Sequence, residues 1–231
     1  MSIYTGVLER AAASTTFASA GLFAALSAAR RKRFFHPEGV ASEGTVEFEP
    51  TSFDLPFSGT SRALVRLSRG AGFPGSLPDV FGLAIKLPEL GHDFLLATSG
   101  TGRISRHMLL PAVGVFSLPY SSVLPYQLGE RLIVFGARAG EDLRGVNPSG
   151  VEDIRESVAT GRFRFELVVV GVGSESWTTF GRLVVDRLHE GDVTFNPWNC
   201  RPPLRPAGPL NRLRLETYQA SQAARPDTVS S

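Results

Sequence analysis

The chain has 231 residues, 42% of them apolar, enough for one domain with a real core. Its 24 Lys+Arg against 22 Asp+Glu leave a net charge of only +2, without the basic stripe that nucleic-acid binding needs. A single cysteine, Cys200, excludes an intrachain disulfide and fits a reducing cytoplasm, and the four histidines (His36, His92, His107, His189) lack zinc-ligand spacing.

Residues 1–32 open with an expected N-terminal helix, Ala-rich from about residue 6, whose basic end Arg30–Arg33 suits the negative pole of a helix dipole. Its apolar run is too short and too broken by serine for a membrane span, and its charges follow the run where a signal peptide places them first. From about residue 43 the pattern turns to strands. Val46 and Phe48 alternate with Thr45, Glu47 and Glu49. In RALVRLS the period of two puts Ala63, Val65 and Leu67 on one face and Leu64, Arg66 and Ser68 on the other. Further strands are expected at 81–87, 92–99, 106–113 and 131–139. Residues 163–172 and 178–188 flank a Gly/Ser turn and read as a hairpin.

One helix interrupts this series. PSGVEDIRESVATG has Ser149 three residues before Glu152, a capping-box signature, with Val151, Ile154 and Val158 as its apolar stripe and Gly161 as its stop. Residues 195–209 form a stiff, Pro-rich connection holding Cys200, which has no catalytic neighbour in sequence and reads as structural. Pro209 then opens a last helix, 209–225, and 226–231 form a disordered tail. Many short strands with frequent Gly and Pro suggest a sandwich or a closed barrel.

The chemistry sits near the two ends. Arg214 and Tyr218 are four apart, so on a helix a guanidinium lies against the phenol oxygen. A free phenol has a pKa of about 10, so a tyrosinate that ligates a metal needs such a cation. Arg225, seven residues beyond Tyr218, returns to nearly the same face about 10 Å along the axis. Near the other end stands RFFHPEG, with Arg33, His36 and Gly39.

These segments, in this order, resemble the haem site of the catalase superfamily. RFFHPEG is similar to the family's Arg-x-x-His-x-x-Gly, VRLSRGAG to its VRFSTVAG strand, and FGLAIKLP to its RGFAVKFY segment. Arg214, Tyr218 and Arg225 keep the family's spacing of proximal Arg, Tyr and a further Arg. The resemblance covers about residues 33–100 and 205–225. It implies a single α+β domain over 1–231: a closed antiparallel catalase-like β-barrel with flanking helices, the C-terminal helix carrying the proximal tyrosine. It implies haem b held through Tyr218 as the metal ligand, with Arg214 beside it and Arg33, Arg66 and Arg225 on the propionates. The catalytic set would be His36 as general base, Ser68 orienting it, and Thr98.

One departure bears on the reaction. The family carries an asparagine pair where this chain has Ala97 and Thr98, so Thr98 or Ser99 would have to supply the missing hydrogen bond. The chain is also about half a typical catalase in length. The expected activity is therefore a peroxidase acting on hydrogen peroxide or organic hydroperoxides, with weak or no disproportionation. Its partners would be the peroxide and a small organic electron donor. No nucleic-acid partner is expected, the location would be cytoplasmic, and a homo-oligomer is allowed. Two alternatives are a haem protein that rearranges a lipid hydroperoxide and a haem-free barrel that binds an apolar ligand.

Overall fold

The computed structural model of the chain describes residues 38–70, 77–143, 147–161 and 163–207. The expected N-terminal and C-terminal helices, the tail 226–231, and Arg33, His36, Arg214, Tyr218 and Arg225 all lie outside the described residues.

Among the described residues ten strands form one antiparallel sheet: β1 (Glu38–Phe48), β2 (Thr60–Arg69), β3 (Phe81–Leu87), β4 (His92–Thr98), β5 (Tyr120–Ser121), β6 (Tyr126–Leu128), β7 (Arg131–Ala139), β8 (Phe163–Gly171), β9 (Thr178–Leu188) and β10 (Arg205–Pro206). The lateral order runs β7-β5-β4-β3-β2-β1-β9-β8, and β8 pairs back onto β7. Those eight strands close a barrel, and β6 and β10 extend from β7. Register shifts between Glu43 and Gly44 and between Leu167 and Val168 help the sheet turn its corners. At the first of these, β1 and β9 approach so closely that a Cβ on Gly44 would run into the Val184 carbonyl.

The interior follows the alternation read from sequence. Ala63, Val65 and Leu67 point inward with Leu83, Ile85 and Leu87, all at most 1% exposed. One half of the barrel is aromatic, with Phe57, Phe94, Phe135 and Phe180 packed at centroid distances of 5.1–6.4 Å around His92. A helix, α1 (Val151–Thr160), packs against β1, β2 and β9 and adds Ile154 and Val158 to the core. No described helix is long and apolar enough to cross a membrane.

The structure corrects the sequence reading in four places. β1 begins at Glu38, before the expected onset near residue 43. Residues 106–113 are not a strand: a 3-10 turn at Ser105–His107 leads into a loop. There Pro111 breaks the ladder, and Leu110 is tied to Thr98 through both its N–H and its carbonyl. The N-cap of α1 is Gly150 and not Ser149, with the Asp153 carboxylate accepting the Gly150 N–H at 3.0 Å. The Pro-rich connection contributes β10, which pairs with β6.

Candidate functional site

The register across β1–β4 builds a surface that the sequence does not display. On the outer wall, Gly39 lies opposite Ser68, Ser68 opposite Gly82, and Gly82 opposite Ala97. The next row is Ala41, Arg66, Ala84 and Leu95, and the third is Glu43, Leu64, Lys86 and Asp93. In the first two rows Arg66 is the sole charged side chain among eight residues. The result is a low plate of small side chains with one arginine in it and a charged row along one edge.

Arg66 lies across Gly39. A Cβ at that glycine would sit 2.8 Å from Arg66 Nε and 2.9 Å from Ser68 Cβ, so only a glycine leaves room for both. Ser68 is 4% exposed, and its hydroxyl has no hydrogen-bond partner among the described residues. The structure thus brings Arg66, Ser68 and Gly39 together on one face, as the period of two predicts.

Thr98 is placed differently. It shares its side of β4 with Phe94 and Leu96, opposite Ala97, and is fully buried. Its hydroxyl donates to the Leu110 carbonyl at 2.7 Å and accepts the Phe81 N–H at 3.1 Å. It therefore pins the ends of β3 and β4, and the residue of that pair that joins Ser68's row is Ala97. Ser99, also fully buried, donates to the Gly100 carbonyl at 3.3 Å.

The charged row fixes the edges of the plate. Asp93 is fully buried, 3.5 Å from Lys86, and accepts hydrogen bonds from the Asn196 N–H at 2.7 Å and from Asn199 Nδ2 at 3.0 Å. It anchors the Pro-rich connection to the outside of β4. Cys200, in that connection, has its thiol pushed up to about 12, first by burial and then by the Asp93 charge, which leaves it inert. At the other edge Glu43 is held down to about 2 by the hydrogen bond from His189, then by that from Arg187, with Arg62 3.2 Å away. Sequence reasoning missed both anchors, since their partners lie more than 100 residues away.

The other described imidazoles are structural. His92, inside the aromatic half, is driven down to about 3 by burial and accepts the Arg201 N–H at 3.1 Å. His107 is lowered by burial and bonds the Val123 carbonyl at 2.6 Å. Tyr120 is buried, donates to the Val115 carbonyl at 2.7 Å, and is pushed above the usual phenol range by desolvation. Among the described residues no group of three or more His, Cys, Asp or Glu side chains could hold a metal ion.

The first row continues past Ala97 to Ser121 and Gly136. There the loop 101–107 and the β8–β9 turn cover the wall. A Cβ on Gly136 would lie 2.9 Å from the Trp177 ring, whose other neighbour is Arg106, 5.7 Å from the centroid. Trp177 Nε1 donates to the Thr101 carbonyl at 2.9 Å, and Ser121 donates to the Arg106 carbonyl.

No protein-family model matches the chain, and no curated protein sequence does. Among solved structures the chain is similar to a fungal catalase, with a TM-score of 0.64 and 17% identity over 88% of this chain. The match spans 61% of the catalase chain. At that identity the likeness is one of fold, and the closed antiparallel barrel of this chain is catalase-like.

Proposed function

We propose that the chain is a haem-dependent peroxidase of the catalase fold that reduces hydrogen peroxide or an organic hydroperoxide, with weak or no disproportionation. The observation that carries this reading is the outer plate of β1–β4, where Gly39, Ser68, Gly82 and Ala97 stand in one row beside Arg66. A flat apolar ring with carboxylates at its margin fits small side chains flanked by a guanidinium, because buried carboxylates need charge-assisted partners. The same row supplies an example of its own: at Gly136 a planar indole rests on the strand with no side chain between.

In this reading Tyr218 is the metal ligand, and Arg214 keeps its phenolate ionised. Arg33, Arg66 and Arg225 bind the propionates. When bound, haem b would supply the redox chemistry that reduces the peroxide. His36 takes the proton from one peroxide oxygen and delivers it to the other. Ser68 bonds the second imidazole nitrogen and so sets which nitrogen faces the peroxide. Thr98 holds the end of β4 that carries Ala97. Ala97 offers no hydrogen bond, the reason for expecting little disproportionation.

Hemin titration of the purified full chain, beside Tyr218→Phe, tests the reading. Stoichiometric binding with a high-spin ferric spectrum, altered or lost in the variant, is expected. Turnover of cumene hydroperoxide with a chromogenic donor should then exceed oxygen release from hydrogen peroxide. A folded protein that takes up no hemin would overturn the reading and leave a haem-free barrel.

A further inference from the structure

A second concavity lies beyond the plate, where the ends of β4 and β7 meet the loop before β5. Its volume is about 340 Å³, within the about 300–1,000 Å³ usual for small-molecule sites. Phe116, Leu118 and Leu143 form its apolar wall. That wall is preset: the Phe116 ring packs edge-on against Phe163 at 4.9 Å and against Phe165 at 5.7 Å, and both of those are buried in the core.

Among the described lining residues there is one cation. Arg138 lines the cavity, half-buried, and its guanidinium has no hydrogen-bond or ion-pair partner among the described residues. Its cross-strand neighbour on β8 is Glu166, an opposite charge directly across the ladder, yet the two do not form an ion pair. Strands ordinarily use such a pair for stability. A half-buried guanidinium that leaves its facing carboxylate unused and lines a cavity with one apolar wall is poised for an anion from outside.

We propose that this cavity binds a small aromatic monocarboxylate, its ring against Phe116, Leu118 and Leu143 and its carboxylate on the Arg138 fork. The pairing is bidentate in character, so lysine is a poor substitute for the arginine. The site does not depend on haem, and its test is independent of hemin uptake.

The experiment is calorimetric titration of the full chain with sodium benzoate and, separately, with benzamide, a neutral molecule of the same shape. Benzoate is expected to bind at one site and benzamide at least about tenfold more weakly, a difference of about 1.4 kcal/mol. Arg138→Gln should weaken benzoate by the same factor and leave benzamide unchanged. Arg138→Lys should recover only part of the loss. Arg155→Gln, on the exposed face of α1, serves as the control and should not alter either affinity. Thermal melts establish that each variant is folded. Equal affinities for benzoate and benzamide, benzoate binding untouched by Arg138→Gln, or no benzoate binding by the folded wild type would each overturn the proposal.

Discussion

Along one lateral row of the barrel's outer wall, Ser121 and Gly136 lie beneath Trp177 and the Arg106 loop, whereas Gly39, Ser68, Gly82 and Ala97 lie beside a single arginine, Arg66. Small side chains serve the same purpose in both halves: they let a flat object approach the backbone. In the first half the object is the chain's own indole, locked by a hydrogen bond to Thr101 and by the Arg106 guanidinium over its face. In the second half we propose haem. A row of glycine, serine and alanine therefore marks where planar groups dock, and the covered half shows what such docking looks like when it is complete.

Changes that separate the halves break or sharpen this comparison. The largest expected loss follows Asp93→Ala, which removes the ion-pair partner of Lys86 and frees the Pro-rich connection, and costs about 3 kcal/mol in chemical denaturation. Trp177→Ala removes the covered half's indole. Because Trp177 is half-buried, the cost is about 2–3 kcal/mol, below the about 3–5 of a fully buried tryptophan. Hemin binding should survive that change; its loss would mean that the two halves act as one site.

Acid should act through the aromatic half. The folded pKa of His92, about 3, lies below its ordinary 6.5, so the unfolded chain binds the extra proton between those values. Stability contributed by neutral His92 is therefore present above about pH 6.5 and declines as pH falls toward about 3. His92→Phe should flatten the melting profile across that window, and an unchanged slope would assign the acid sensitivity elsewhere.

Ala97→Leu should shift stability by no more than about 1 kcal/mol, yet reduce hemin affinity by at least about tenfold, since its side chain rises from the first row of the plate. Unchanged hemin binding in this variant would remove the plate from the site. The smallest effect belongs to Arg62→Gln. Its guanidinium is 57% exposed, so the ion pair with Glu43 contributes between about 0 and 1 kcal/mol.

Much of the barrel was legible because apolar alternation is strong where a strand has one face in the core. β3 and β7 have the bounds read from sequence, and Arg66 and Ser68 share a face because they are two apart. The start of β1 was hidden: Gly39, Val40 and Ala41 carry no clear alternation, and pairing with β2 makes them a strand. Residues 106–113 have strand composition but are claimed by hydrogen bonds to Thr98. β5, β6 and β10, at two or three residues each, are too short for any periodic signal. The contrast between Ala97 and Thr98 turns on which side of β4 each residue takes, fixed by strand parity and register. The residues of the proposed proximal side, Arg214, Tyr218 and Arg225, lie outside the described residues, and helical spacing in the sequence is what aligns them.

The closure of the barrel carries a kinetic consequence. β1, among the first described strands, needs β9, about 140 residues later, to fill its second edge, and β8 must return to β7. During synthesis β1 and β7 therefore wait with an open edge until the final hairpin, β8–β9, emerges. Long-range pairings of this kind fold slowly and expose unpaired strands to other chains. Glycines at Gly44 and Gly181, where β1 and β9 meet, let that last pairing close tightly once it comes.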